Sequence, residues 1–141
     1  MEGALRFHFD VDGDNFTSAG AASVEVKKKL RQLGFSAEVI RRVSIAMYEG
    51  EINMVVHARG GKAEVFVDTH CITIVLTDEG PGIKDIELAM QEGYSTAPDN
   101  IRALGFGAGM GLPNMKRYTD SMEIASEVGK GTTVTMKVFV A

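Results

Sequence analysis

The sequence predicts a two-layer α/β sandwich, an α+β arrangement with helices on one face of a mixed, largely antiparallel sheet. Two observations carry this. Strand-sized segments, strictly alternating at Leu5–Val11 and an apolar run at Ile72–Leu76, lie at both ends and in the middle of the chain, and two long stretches of helical periodicity lie between the first strand and the next pair. The order is strand, two helices, two strands, a long irregular segment with short helices, and two strands.

Leu5, Phe7, Phe9 and Val11 alternate with Arg6, His8 and Asp10, which marks a half-buried strand, and Asp12-Gly13-Asp14-Asn15 ends it as a turn. The first helix is expected from Ser18 to Leu33. Ala22, Val26, Leu30 and Leu33 form its apolar face, and Gly34 is a natural C-terminal cap. Ser36 caps a second helix, with Glu38 in its first turn, where a negative charge meets the helix dipole favourably. Val39, Val43, Ala46 or Met47, Gly50 and Met54 follow at helical spacing, and Ala58-Arg59-Gly60-Gly61 closes the helix. Ala63–Asp68 and Cys71–Thr77 read as strands of a hairpin joined through Thr69-His70. Lys84 to Gln91 fits a short helix. Leu112 to Tyr118 reads as another, since Pro113 is tolerated in a first turn. Met122–Ser126 and Thr132–Val140 are the last strands, joined by Val128-Gly129-Lys130-Gly131.

A chain of 141 residues, 45% of them hydrophobic, is one domain that can bury a core without crosslinks. Residues 1–141 are read as that single unit. The net charge of −4 argues against direct nucleic-acid binding. The single cysteine, Cys71, excludes an internal disulfide and fits a reducing compartment, and its strand position predicts a buried thiol. The apolar runs are strand-sized and no signal-peptide core is present, so a cytoplasmic protein without membrane contact is expected.

Four features carry chemistry. Glu49 and Asn53, four apart on the second helix, share one face. A carboxylate there can take a proton from a hydroxyl or water, and an amide oxygen can complete the shell of Mg²⁺. The helical wheel turns Glu51 away, toward the surface. Asp78 ends the apolar strand and opens Asp78-Glu79-Gly80-Pro81-Gly82. Its carboxylate can accept from an exocyclic amine such as adenine N6, while Gly80 and Gly82 allow close backbone approach to a flat ring. Gly105, Gly107, Gly109 and Gly111 alternate at the end of a long irregular segment, about 92–111, that suits a mobile lid with free backbone N–H groups for phosphates. Arg102, Lys116 and Arg117 are the nearby cations. Thr132, after Gly131, can bring a hydroxyl near a base. Each feature alone is equally what a solvated helix face, an ordinary turn or a flexible loop looks like. Their order and spacing together describe a nucleotide pocket.

Glu49-x3-Asn53, Asp78-x-Gly80-x-Gly82, the four alternating glycines and Gly131-Thr132 stand in the order of the sequence boxes of the GHKL ATPases, which include gyrase B, Hsp90, histidine kinases and MutL. Gly93-Tyr94-Ser95-Thr96 and Gly111 to Arg117 most resemble the stand-alone bacterial anti-sigma-factor and switch serine/threonine kinases. The resemblance covers nearly the whole chain. It implies a Bergerat-type sandwich binding Mg-ATP. Asn53 would then coordinate Mg²⁺, Glu49 would be the general base, and Asp78 would hold the adenine amine with help from Gly82 and Thr132. Gly105, Gly107, Gly109 and Gly111 would meet the phosphates. It also implies a serine/threonine kinase acting on a small STAS-domain partner, with a sigma factor as a further partner and a homodimer as the assembly. The chain has no phospho-accepting histidine helix pair, which argues against an autophosphorylating sensor kinase. An ATP-responsive docking module without kinase chemistry is the other function class these residues allow.

Overall fold

The structure is a computed structural model and describes residues 5–12, 20–58, 60–83, 90 and 111–140. Its elements are β1 (Leu5–Asp12), α1 (Ala21–Gln32), α2 (Ala37–Ala58), β2 (Gly60–Val67), β3 (Cys71–Asp78), α3 (Gly111–Arg117), β4 (Ser121–Glu127) and β5 (Gly131–Phe139). The expected short helix over 84–91 (except residue 90), the segment 92–110 and the turn after Asp12 lie outside the described residues.

The five strands form one sheet in the order β1-β2-β3-β5-β4, and every pairing is antiparallel. The expectation of a largely antiparallel sheet with helices on one face holds. β5 inserts between β3 and the edge strand β4, which sets the end of β3 beside the start of β5, with Asp78 opposite Thr132. Alternation decides the faces. Ala63, Val65, Val67, Ile72, Ile74, Leu76, Val134, Met136 and Val138 point into one apolar core under the helices. The opposite face carries Arg6, whose Nε donates to Glu64 Oε2 at 2.8 Å.

α1 contributes Ala22, Val26 and Leu30 to the core. It ends in a Schellman turn, as Gly34 predicts. Phe35 N–H donates to Leu30 C=O at 3.2 Å and Gly34 N–H to Arg31 C=O at 3.1 Å. α2 starts where Ser36 predicts, with Val39 N–H donating to Ser36 Oγ at 3.2 Å. It is packed against both α1 and α3 as well as the sheet, so more than one of its faces is covered. The two glycines expected to close α2 instead open β2, where Gly61 lies against the Thr77 carbonyl and Asp78 Cα. Cys71 is half-buried at the start of β3, with its Sγ 3.7 Å from Thr73 Oγ1.

The reading of Glu51 is also overturned. Glu51 is not at the surface. It is 2% exposed. Its carboxylate accepts the backbone N–H groups of Gly20 at 3.0 Å, Ala22 at 3.2 Å and Ser23 at 2.6 Å. α1 has no acid in its first turn and its N-cap, Gly20, has no side chain to offer. Glu51 supplies the missing acceptors from the neighbouring helix. Burial raises its carboxyl above the usual range, and the bonds from Ser23, Ala22 and Gly20 pull it back.

Candidate functional site

Glu49 sits near the middle of α2, half-buried, where Asn114 Nδ2 of α3 reaches its Oε1 at 3.4 Å. Burial raises the Glu49 carboxyl above its ordinary range, and the Asn114 bond opposes that. Asn53 follows one turn later, also half-buried. Between them lies Gly50, fully inside. A side chain there would meet the Leu76 Cδ1 methyl and, at 3.3 Å, Met115 Cε. The small residue lets α2 settle onto the end of β3 and under α3. Met54, next to Asn53, lies close to Gly61 and so to Asp78. These contacts set the stretch of α2 that carries Glu49 and Asn53 beside the end of β3.

Asp78 is fixed by two backbone donors. Its Oδ1 accepts Gly80 N–H at 2.9 Å and Thr132 N–H at 3.2 Å. The turn after it is stitched to the β4–β5 hairpin. Gly129 N–H donates to Pro81 C=O at 2.8 Å, and Ile83 N–H donates to Ser126 Oγ at 2.7 Å. Gly82, at φ +79°, meets the Glu127 carbonyl and lies within 3.0 Å of Val128 Cα at the place a Cβ would occupy. The protein backbone itself therefore demands glycine there. Gly131, at φ +134°, is pressed against Asp78 and Glu79 in the same way. Asp78, Ser126, Lys130, Gly131 and Thr132 line an open cleft of about 380 Å³. That volume lies in the usual range for small-molecule sites, about 300–1,000 Å³.

Gly105, Gly107 and Gly109 lie outside the described residues. Gly111 begins α3, whose Leu112 and Met115 are buried. Among the described residues, no group of three or more His, Cys, Asp and Glu side chains is placed to hold a metal ion. Asn114 and Ser126 are the polar neighbours that sequence reasoning missed. Ser126 was traceable: counting back through the β4–β5 hairpin sets it opposite Thr132.

Residues 15–138 match the family model described as the histidine kinase-like ATPase domain. The chain belongs to the histidine kinase-like ATPase (GHKL) family. Proteins similar to it include the anti-sigma F factor of Clostridium acetobutylicum, 34% identical over 138 residues, covering 94% of this chain and 90% of the relative. The anti-sigma F factor of Thermoanaerobacter sp. (strain X514) is 35% identical over 114 residues, covering 77% and 76%. Among solved structures, the RsbU and RsbW domains of a Mycobacterium tuberculosis protein align over 95% of this chain and 32% of that chain, with a TM-score of 0.62 and 16% identity. A mycobacterial sensor histidine kinase, MprB, aligns over 96% and 97%, with a TM-score of 0.54 and 18% identity. The two structural likenesses establish the GHKL fold. The family match establishes a histidine kinase-like ATPase domain, and the named relatives are anti-sigma F factors. No helix among the described residues is long and apolar enough to cross a membrane.

Proposed function

We propose that this GHKL domain is an Mg-ATP-dependent serine/threonine protein kinase of the anti-sigma-factor or switch type. Its substrate is a serine or threonine on a small STAS-domain regulatory protein. The carrying observation is the Glu49 carboxylate, half-buried, raised in pKa, one turn from Asn53 and contacted by Asn114. A carboxylate whose pKa is raised above its ordinary value is a stronger base for removing a proton from a hydroxyl.

In this reading the substrate hydroxyl gives its proton to Glu49 as its oxygen bonds to the γ-phosphorus. The bond from that phosphorus to the bridging oxygen breaks, and ADP leaves with the electron pair. The Asn53 amide oxygen would hold Mg²⁺, which offsets phosphate charge when bound. Asp78 accepts from the adenine amine, with Thr132 and the Gly80–Gly82 turn around the ring. Gly105, Gly107, Gly109 and Gly111 meet the phosphates, and the segment 92–111 closes over them. The new phosphate on the partner adds about two negative charges, enough to break a complex that includes a sigma factor. The protein works in the cytoplasm, as a homodimer, without direct contact to nucleic acid or membrane.

The test incubates the chain with labelled ATP, Mg²⁺ and candidate STAS-domain proteins. Transfer of label that is lost in Glu49→Gln supports the kinase. ATP binding without transfer to any partner favours instead an ATP-responsive docking module. The relatives' printed name, anti-sigma F factor, states no kinase chemistry, which leaves that second reading open to the same test. Under it, Glu49→Ala leaves partner regulation unchanged.

A further inference from the structure

Ser126 occupies a junction of three chain segments. Its Oγ accepts Ile83 N–H at 2.7 Å, lies 2.8 Å from Thr132 Oγ1 and lies 3.2 Å from the Gly131 carbonyl oxygen. A serine hydroxyl has one proton and two lone pairs. Ile83 takes one lone pair. If the proton goes to the Gly131 carbonyl, the Thr132 hydroxyl donates to the second lone pair, and all three contacts are hydrogen bonds. If the proton goes to Thr132 instead, the Gly131 contact lapses. The Thr132 proton then needs another acceptor in a residue only 8% exposed. The first arrangement makes one more bond and prevails.

That arrangement fixes the polarity of the cleft. The Thr132 proton is committed to Ser126, so its oxygen is left with lone pairs alone. Asp78, on the same cleft, is an acceptor only when ionised. A 6-aminopurine offers N–H groups to such an edge. A 6-ketopurine sets its O6 lone pairs against it at the place of the amine and keeps a single donor, the N1–H. We propose that Ser126 is a positioning residue for base selection: by taking the Thr132 hydroxyl proton it holds an acceptor-only edge beside Asp78 that selects a 6-aminopurine nucleotide over a 6-ketopurine one. This rests on the reading of the cleft as the ATP site.

The experiment measures dissociation constants for ATP, ITP and purine riboside 5′-triphosphate, which carries only hydrogen at C6. Calorimetry is run on the full chain and on Ser126→Ala, Ser126→Thr and Thr132→Val. In Ser126→Ala the freed Thr132 hydroxyl can turn and donate to a keto oxygen. The preference for ATP over ITP falls about tenfold, the size of one hydrogen bond, while purine riboside triphosphate changes by less than about twofold. Ser126→Thr keeps the hydroxyl and the wild-type preference. Thr132→Val removes the acceptor, leaves the Ile83–Ser126 bond in place, and lowers the preference too, so it decides the matter even where Ser126→Ala folds poorly. Equal weakening of all three nucleotides, or an unchanged preference in Thr132→Val, overturns the proposal. A wild-type chain that binds none of the three overturns the ATP-site reading itself, and the proposal with it.

Discussion

Ser23 donates its backbone N–H to Glu51 Oε1 at 2.6 Å and ties the first turn of α1 to the middle of α2. With Gly20 and Ala22 on Oε2, three N–H groups at the head of α1 depend on one side chain of another helix. Glu51→Ala leaves those donors without acceptors in a buried place. The expected loss is about 3 kcal/mol of stability. Glu51→Gln keeps one oxygen and turns an NH₂ toward N–H donors, so it loses nearly as much. Urea denaturation followed by circular dichroism measures both. Two variants as stable as the wild type would remove Glu51 from this structural role.

The Glu51 result shows where the sequence stops being legible. Strands were readable because one face of each is buried and the period of two survives in the residues, as at Ile72, Ile74 and Leu76. Helix ends were readable at Ser36 and Gly34, where local chemistry sets the cap. An acid two residues from Glu49 reads as solvated because a helical wheel knows only one buried side. α2 is covered on more than one side, by α1 and α3 as well as the sheet, and nothing in its own sequence says so. The clue lay in α1, which begins without an acid or a capping side chain. At the site, Asp78 and Glu49 were legible as types at a spacing. Asn114 was not, because the contact joins residues 65 apart in the chain.

Asn114 opposes the burial that raises Glu49. A general base works when deprotonated, so a raised pKa moves the acid limb of phosphoryl transfer above the usual glutamate value of about 4.3. Asn114→Ala removes the opposing bond, raises the Glu49 pKa further and moves that limb to still higher pH. At alkaline pH the variant recovers most of its rate. A pH–rate profile of single-turnover transfer checks this. A limb that stays in place, or moves to lower pH, would separate Asn114 from the titration of Glu49.

Gly50 is a spacing residue. A methyl group there runs into Leu76 Cδ1, on a leucine 3% exposed with little room to turn. Gly50→Ala should destabilise the fold by about 1–3 kcal/mol through overpacking. It also lifts α2, and with it Glu49 and Asn53, away from the end of β3 that carries Asp78. Nucleotide affinity should therefore fall along with stability. Leu76→Val opens space at the contact, so the double variant should recover part of both losses. A double-mutant cycle by denaturation and nucleotide titration reads the coupling, and strict additivity of the two changes would deny the contact.

Asp78→Asn tests the base end without dismantling it. The Asn carbonyl oxygen can still accept Gly80 N–H and Thr132 N–H, so the turn onto the β4–β5 hairpin is kept. The other carboxylate oxygen becomes an NH₂ group. An acceptor for an exocyclic amine is replaced by a donor, and a charged partner by a neutral one. ATP affinity should drop by about 1.5–3 kcal/mol, or roughly 10- to 150-fold. The melting temperature should stay close to that of the wild type. Asp78→Ala, which also strips the acceptor from both backbone groups, should lose affinity and stability together. Calorimetric titration with ATP beside thermal unfolding of both variants separates the two effects. Wild-type ATP affinity in Asp78→Asn would move the base to another part of the molecule.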